Sequence, residues 1–339
     1  MEHTRDLWED LRGARLFITG GTGFFGHWLV ESFLYANQQL DLKASASILS
    51  REPDSAKRAF PNLLADPAIT IHTGDVRNFE YPRGEFSHII HAATHTSTKL
   101  NKENSLSVLD TIVEGTRRTL EFAVKCKSKK FLFTSSGAIY GKQPSEMTHI
   151  SEEYAGAPDS LEPTTVYGNG KRAAELLCSL YSQQFDIHTT IARCFAFVGP
   201  HLPLDVHFAI GNFIRDTLNG GPIIIKGDGT AYRSYLYTAD LTIWLWTILL
   251  RGESGRAYNV GSEKSLTITE IAYTVAQAAS PMPAVKVLGE KNPSKAVERY
   301  IPSTQRAKAE LKLMQTIELA DAIQRTFRFL NSNNREADL

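Results

Sequence analysis

Short apolar segments alternate with longer amphipathic segments through the first part of the chain. Residues 15–19 have the composition of a strand, a glycine turn follows them, and residues 26–35 have the periodicity of a helix. Further strands are predicted at 46–49, 69–72, 88–91, 131–134 and 189–192, with helices between them at 107–126 and 171–184. This alternation predicts an α/β fold built on a doubly wound parallel sheet of the Rossmann type.

Glycine and proline become frequent after about residue 200, and the apolar segments become short. This change predicts a smaller α+β lobe that is discontinuous in sequence, because residues 235–250 and 257–260 return to the pattern of the main sheet. We assign residues 1–199 and 235–263 to the sheet domain and residues 200–234 and 264–330 to the lobe. Residues 331–339 are polar and are predicted to form a frayed tail.

The charge balance excludes some partners. The 339 residues include 37 basic and 37 acidic side chains, so no net field draws the protein to nucleic acid or to a membrane surface. The longest apolar run, 241–250, is too short to span a bilayer, and the charged N-terminus does not look like a secretory signal. Cys126, Cys178 and Cys194 are far apart and predict reduced thiols. These features predict a cytoplasmic protein.

The glycine turn after the first strand is the first candidate site. Gly20, Gly23 and Gly26 have the spacing that lets the backbone approach a pyrophosphate, while the next helix points its N–H groups at the anion. Phe24 and Phe25 lie inside the same turn. The alternative is that these glycines serve only a tight turn. Because the turn lies between a strand and a helix, the spacing predicts a dinucleotide site.

The end of the second strand indicates which dinucleotide is bound. It reads Ser50-Arg51, and a hydroxyl beside a guanidinium suits a ribose 2′-phosphate, so NADP is favoured over NAD. The alternative is that Arg51 is solvated and that Glu52 or Asp54 binds the free ribose hydroxyl. Asp75 and Val76 follow the third strand. Their position suggests a contact with the adenine amino group.

Tyr167 and Lys171 are four residues apart, so in a helix they share one face. An ammonium group in that place stabilises a phenolate and can contact a bound cofactor at the same time. The alternative for an isolated pair is an ordinary surface helix. Beside a dinucleotide turn, the pair predicts a proton donor next to a nicotinamide.

With these motifs the chain resembles the extended short-chain dehydrogenase/reductases, and within them the nucleotide-sugar epimerases, dehydratases and reductases. The resemblance covers most of the chain and depends on motifs that occur together and in order. They are the turn at 19–26, His91-Ala92-Ala93, FTSSGAIYG at 133–141, the Tyr167/Lys171 pair, Arg193-Cys194-Phe195, and YRSYLYTADL at 232–241.

The resemblance implies roles for these residues. Tyr167 would be the acid/base at the sugar oxygen, and Lys171 would lower the pKa of Tyr167 and hold the nicotinamide ribose. Ser136 would hydrogen-bond the same sugar oxygen, with Ser135 as the alternative. Ala92 and Ala93 would contact the cofactor.

The resemblance also implies substrate contacts in the smaller lobe. Arg233 and Arg299 match the positions at which the family binds a diphosphate, for which a guanidinium has the right charge and geometry. Asn212 resembles the amide on the nucleotide side of that diphosphate. For Arg299 the alternative of a solvated charge stays open, because the residues around it have little pattern.

Departures from the family pattern narrow the reaction. Dehydratases and uronate decarboxylases of the family have acidic residues where this chain has Gly137 and Ala138. The resemblance therefore implies hydride transfer at C4 of a nucleotide-diphosphate sugar, with NADPH-dependent reduction of a 4-keto-6-deoxy sugar favoured. A 4-epimerase with retained NAD is the first alternative. A non-catalytic dinucleotide-binding sensor is the second.

Two further expectations concern metal and oligomeric state. His88, His91 and His95 cluster near one strand end, but no cysteine or carboxylate set accompanies them, so no metal is predicted. By resemblance, the helices at 107–126 and 167–184 would pair with their copies in a homodimer.

Overall fold

The computed structural model describes residues 4–94, 104–205, 208–292, 294 and 296–337. The strands are β1 Arg15–Thr19, β2 Ser45–Ser50, β3 Ile69–Thr73, β4 His88–His91, β5 Lys130–Ser136, β6 His188–Cys194, β7 Phe197–Val198, β8 Ile223–Ile225, β9 Tyr232–Arg233, β10 Leu236–Tyr237, β11 Arg256–Val260, β12 Leu266–Thr267, β13 Val285–Val287 and β14 Arg299–Tyr300. The helices are α1 Arg5–Glu9, α2 Phe24–Leu40, α3 Pro53–Ala59, α4 Pro61–Leu64, α5 Ser105–Lys125, α6 Val166–Phe185, α7 Ala209–Leu218, α8 Thr238–Arg251, α9 Ile268–Gln277, α10 Gln305–Leu311 and α11 Leu319–Ala337. Two 3-10 helices, Gly137–Tyr140 and Pro163–Thr165, precede α6.

The main sheet has seven strands in the order β11-β6-β5-β4-β1-β2-β3. The pairs β1–β2, β1–β4, β2–β3, β4–β5 and β5–β6 are parallel. Strand order reverses direction between β1 and β4, which is where a doubly wound sheet opens a crevice for a ligand. The predicted doubly wound α/β fold is confirmed.

Aromatic side chains fill the core on one side of this sheet. Phe17 on β1 lies with its ring centroid 4.8 Å from that of Phe122 on α5 and 5.4 Å from that of Phe79. β1 is buried at all positions after Arg15, and β4 is buried throughout. Continuous burial is typical of a parallel strand covered on both faces, and it explains why these segments read as short apolar runs.

The chain divides into two units, and the division differs from the predicted boundaries. The first unit contains residues up to Gly141, Gly156–Cys194 and Thr242–Tyr258, and the second contains Lys142–Ala155, Phe195–Leu241 and Asn259–Leu339. Residues 142–155 join the second unit through long-range bonds: Ile150 pairs with Pro302, and Gln143 accepts the N–H of Ile301 at 2.9 Å. Local sequence patterns contain no sign of such pairings.

The end of the chain also differs from expectation. Helix α11 continues to Ala337, so most of the predicted frayed tail is helical. The helix is anchored by the buried Leu319, Ile323 and Phe327, and once a helix is nucleated each further turn is added at little cost. No helix in the described ranges has both the length and the hydrophobicity needed to cross a membrane.

Candidate active site

Four residues predicted to bind a dinucleotide, and the predicted catalytic Ser136, lie at the carboxyl ends of parallel strands. Gly20 follows β1, Ser50 ends β2, Asp75 follows β3, Ala92 follows β4, and Ser136 ends β5. Because these strands are parallel neighbours, their carboxyl ends lie along one edge of the sheet. The topology therefore brings these candidates, which are distant in sequence, to the same edge.

Two glycines of the turn lie too close to backbone atoms of neighbouring segments for either to carry a side chain. Gly20 has φ +73°, and a Cβ there would lie 2.6 Å from the carbonyl carbon of Ala92. A Cβ on Gly26 would lie 2.2 Å from the carbonyl oxygen of Gly20. These contacts press the turn, the start of α2 and the Ala92-Ala93 segment together.

Helix α2 begins directly after this turn with no side-chain cap on its N-terminus. The N-cap residue is Gly23, and the partly buried Phe24 and Phe25 begin the first turn. Backbone N–H groups at such an uncapped end can hydrogen-bond an anion, and the helix dipole favours negative charge there. The turn therefore has the chemistry to hold a dinucleotide pyrophosphate.

A buried histidine ties β1 to β4 beside the turn. His91 Nδ1 lies 2.7 Å from Thr19 Oγ1, and Nε2 lies 3.0 Å from Thr116 Oγ1, whose own proton goes to the carbonyl of Ile112. Thr116 must then accept from His91, so Nε2 carries the proton and Nδ1 accepts from Thr19. Burial lowers the pKa of His91 to about 3, so the ring is neutral. Thr19 Oγ1 in turn accepts the N–H of Ala93 at 3.2 Å.

The candidates after β2 and β3 include an ion pair that the sequence did not predict. Ser50 is buried at the end of β2, and Arg51 is exposed immediately after it. Asp75 forms an ion pair with Arg77 at 2.8 Å, and this hydrogen bond holds the pKa of Asp75 below its usual value, with a smaller contribution from the charge of Arg51. Val76, which was predicted to contact the adenine, belongs to the buried hydrophobic core.

Tyr167 and Lys171 lie one turn apart on α6, and α6 packs against the end of β5. The Nζ of Lys171 donates to the carbonyl oxygen of Thr134 at 2.7 Å and lies 5.8 Å from the centroid of the Tyr167 ring. Ser136 Oγ accepts the N–H of Ala138 at 3.1 Å. The neighbouring Ser135 hydroxyl donates instead to Glu175 at 2.5 Å, so of the two serines the geometry favours Ser136 for a substrate contact.

Lys171 is buried although it carries a charge. Burial lowers its pKa to about 8, and the nearby carboxylate of Glu175 opposes this shift. The ammonium form is therefore present at neutral pH and is lost as the pH rises through about 8. An ammonium in this position is close enough to support a phenolate on Tyr167.

Close packing of α6 against the Gly137–Tyr140 helix fixes the position of Tyr167. A Cβ on Gly168 would lie 2.6 Å from the carbonyl oxygen of Ala138. Only a glycine lets α6 approach the Gly137–Tyr140 segment this closely. No local pattern marks Gly168 as important, because its role depends on a contact with a residue thirty positions earlier.

In the second unit, the two predicted arginines lie on paired strands. Arg233 on β9 is opposite Tyr300 on β14, next to Arg299. Its Nη2 lies 3.7 Å from the carboxylate of Glu298, and the guanidinium of Arg299 lies 4.2 Å from the centroid of the Tyr232 ring. The structure thus brings together two cations that are 66 positions apart in sequence.

Asn212 lines a cavity within the second unit. The cavity has a volume of about 910 Å³ and is bordered by α7, β8 and the loop after β8. The charged groups of its wall are the basic Arg215 and Lys226 and the acidic Asp205, Asp216, Asp228, Glu290 and Glu298. Its size and polarity suit a nucleotide-sized ligand.

Three residues support the candidate site without any local pattern that predicts their contacts. Thr116, Glu175 and Arg193 contact its members rather than forming its surface. The Arg193-Cys194-Phe195 motif drew attention to Arg193, but it did not indicate that Arg193 pairs with Glu175. His95 lies outside the described residues.

A family model and curated relatives match most of the chain. Residues 16–261 match the family described as NAD dependent epimerase/dehydratase. Among curated proteins, UDP-glucuronic acid decarboxylase 6 of Arabidopsis thaliana is 28% identical over 310 residues, covering 91% of this chain and 86% of the relative.

Solved structures show the same fold. UDP-glucuronic acid 4-epimerase from Bacillus cereus, in complex with UDP-glucuronic acid and NAD, has a TM-score of 0.79 and 20% identity, covering 94% of this chain and 99% of its own. The dTDP-glucose 4,6-dehydratase from Bacillus anthracis, in complex with NAD, has a TM-score of 0.77 and 19% identity, covering 95% and 98%. At these identities the likeness concerns the fold.

Proposed function

Since the chain belongs to the NAD dependent epimerase/dehydratase family, we propose that it is an oxidoreductase that transfers hydride at C4 of a nucleotide-diphosphate hexose. The reaction we favour is the NADPH-dependent reduction of a nucleotide-linked 4-keto-6-deoxy sugar. One observation supports hydride transfer: the set Ser136, Tyr167 and Lys171 is present, while the two residues after Ser136 are Gly137 and Ala138. Reduction is favoured over epimerisation because Ser50 and Arg51 at the end of β2 suit NADPH.

The chain's own residues account for the proton transfer. A bound dinucleotide would supply hydride from its nicotinamide ring. Tyr167 gives its phenolic proton to the sugar oxygen as the ketone becomes an alcohol, and Ser136 donates a hydrogen bond to that oxygen. Lys171 stabilises the resulting phenolate. This set of groups is sufficient for carbonyl reduction, and in reverse for alcohol oxidation.

Dehydration and decarboxylation need more than this set provides. The curated relative named above is a decarboxylase. The family resemblance implies that dehydratases and decarboxylases have acidic residues where this chain has Gly137 and Ala138. Glu175, the carboxylate on α6, is bound by Arg193 at 2.8 Å and by Ser135, so it is not available as a base. These features support hydride transfer over elimination.

We infer that the first unit binds the dinucleotide and that the second unit binds the nucleotide sugar. Arg233 and Arg299 would hold its diphosphate, because a guanidinium keeps its charge and matches phosphate geometry. Asn212 lines the cavity of about 910 Å³, which would hold the nucleoside. Proximity of the two arginines within one small sheet supports this assignment.

A two-part assay distinguishes the reactions. The purified protein is incubated with NADPH or NADH and a panel of nucleotide-linked 4-keto-6-deoxy sugars, and separately with nucleotide-linked hexoses and no added cofactor. Oxidation of the cofactor in the first part is the expected result. Isomer formation without net redox change in the second part would support the 4-epimerase, which the NAD-bound 4-epimerase of similar fold makes the first alternative.

Replacement of Arg51 by glutamine tests the choice of cofactor. We expect the affinity for NADPH to fall by roughly tenfold or more, because a charge-assisted hydrogen bond to the 2′-phosphate is lost. The affinity for NADH, which lacks that phosphate, should change little. Fluorescence titration of the reduced cofactors measures both values.

The matched control is Arg58→Gln, which removes an exposed arginine from the nearby helix α3. It should leave both affinities unchanged. Tighter binding of NADH than NADPH by the unaltered protein would reject the proposed cofactor preference. An equal loss of both affinities in the Arg51 variant would reject the role of Arg51.

We also propose a homodimer formed through α5 and α6. The two helices carry exposed apolar side chains, among them Leu106, Leu176 and Leu180, which a second copy would cover. Leu176→Glu should convert the dimer to a monomer in analytical ultracentrifugation. The control is Leu161→Glu, which changes an exposed leucine outside both helices. A monomeric unaltered protein would contradict the proposal.

A further inference from the structure

A buried ion pair links the elements that carry the proposed catalytic residues. Arg193 on β6 binds the carboxylate of Glu175 on α6 through two nitrogens, with Nη2 2.8 Å from Oε2 and Nε 3.1 Å from Oε1. The two side chains are only 15% and 11% exposed. The Oε1 atom also accepts the hydroxyl of Ser135 on β5 at 2.5 Å. One carboxylate thus joins a helix to two strands.

Arg193 extends this network to the 3-10 helix. Its Nη1 donates to the phenolic oxygen of Tyr140 at 2.9 Å, and Tyr140 is buried at the end of the Gly137–Tyr140 segment. Each of the four elements in contact is therefore held by one guanidinium and one carboxylate. Groups buried in this way stabilise a fold only when all their partners are present.

The network lies directly behind the proposed catalytic residues. Ser135 precedes Ser136, and Glu175 lies one helical turn after Lys171 and two turns after Tyr167, on the same side of α6. A shift of Glu175 would move all of α6 relative to the end of β5. The distance between the Tyr167 hydroxyl and Ser136 depends on that packing.

We propose that Glu175 and Arg193 form a positioning pair that holds α6 against β5 and balances the charge beside Lys171. The proposal rests on the proposed function, in which Lys171 supports proton transfer by Tyr167. Neither member of the pair touches the substrate in this account. Both act through Lys171.

The surroundings of Lys171 explain why the pair matters. Glu175 and Cys178 face it from α6, Cys194 from β6 and His91 from β4, and Tyr167 is one turn away. His91 is neutral and the buried thiols are protonated, since burial raises their pKa values. Glu175 is therefore the anionic group beside Lys171, and its charge favours the ammonium form against the effect of burial.

Substitution of each partner should move the titration of Lys171 in opposite directions. Glu175→Gln leaves the buried guanidinium without its carboxylate, so Lys171 should lose its proton about one pH unit lower. Arg193→Gln leaves the carboxylate without its guanidinium, so Lys171 should hold its proton to a higher pH by a similar amount. The double variant removes both charges and should return the midpoint toward the original value.

The test is an NMR titration of protein with ¹³C-labelled lysine, in which the Cε signal of Lys171 is identified by its absence from Lys171→Arg. Ser135→Ala is the control, because it removes a hydrogen bond from Glu175 and keeps both charges. Opposite displacements in the two single variants support the proposal. Damage to packing alone would not produce opposite signs, and an unchanged midpoint in either single variant overturns the proposal.

This measurement needs no substrate, so it separates the pair's role from the proposed function. Where turnover is measured, the high-pH limb of kcat should move with the Lys171 midpoint in each variant. If the Lys171 midpoint shifts in the variants but the unaltered protein shows no turnover, the proposed function is rejected and the electrostatic role of the pair is retained. A high-pH limb of kcat that does not move with the titration midpoint of Lys171 would reject the proposed link between the ion pair and catalysis.

Discussion

Replacement of Tyr167 by phenylalanine should lower kcat by roughly a thousandfold while leaving the dinucleotide affinity nearly unchanged. The substitution removes the proton that the sugar oxygen receives and keeps the ring that packs against the core. Because the loss occurs in the transition state, kcat and kcat/KM should fall together. Steady-state kinetics on the sugar that the assay identifies, together with fluorescence titration of the cofactor, measures both effects.

Tyr181→Phe is the matched control for this prediction. Tyr181 lies on the same helix α6, and its ring packs 5.2 Å from that of Phe185. Loss of its hydroxyl should leave kcat close to that of the unaltered protein. Undiminished turnover in Tyr167→Phe would contradict the proposed mechanism. If the unaltered protein binds a dinucleotide but turns over none of the sugars, the non-catalytic sensor would be favoured.

Replacement of Gly26 by alanine should destabilise the protein by about 3 kcal/mol and weaken cofactor binding sharply. In most helix positions alanine stabilises a helix by about 1 kcal/mol relative to glycine, so helix propensity alone predicts that this substitution would stabilise the protein. Here the added carbon would lie 2.2 Å from the Gly20 carbonyl oxygen and 2.4 Å from the Gly21 Cα. Both contacts are with backbone atoms that cannot rotate away, so steric overlap outweighs helix propensity and the substitution destabilises the protein.

Gly23→Ala is the control in the same turn. A Cβ on Gly23 would make one contact of 3.4 Å with the Gly20 carbonyl oxygen, which is ordinary packing, and the residue has a negative φ. Urea denaturation should show Gly23→Ala close to the unaltered protein and Gly26→Ala well below it. Equal losses in the two variants would show that close packing at Gly26 is not the cause.

Much of the site could be predicted because its signals are local. The spacing of Gly20, Gly23 and Gly26 is contained in seven residues, and Tyr167 and Lys171 are separated by one helical turn. Strand and helix periods are equally short-range, so the predicted strands fall within one or two residues of β1 to β6. A family resemblance then supplied expected roles for positions such as Ser136 and Arg233, whose own surroundings carry a weaker pattern.

Other features depend on contacts between distant parts of the chain. Glu175 and Arg193 are 18 positions apart, and nothing in either segment indicates that their side chains meet. The membership of residues 142–155 in the second unit depends on Gln143 and Ile150 meeting residues near 301. Similarly, the tautomer of His91 follows only from its two buried hydrogen-bond partners, Thr19 and Thr116.

The amino-acid order alone determined the α/β class, the glycine turn at residues 20–26 and the shared helix face of Tyr167 and Lys171, since each depends on dihedral preferences and side-chain periods within a few residues. Tertiary packing alone decided which serine is engaged by Glu175, how closely Gly168 lets α6 approach Ala138, and which charges surround Lys171. Those outcomes require the sheet to align strands from across the chain, because only then do desolvation and long-range hydrogen bonds act on a side chain.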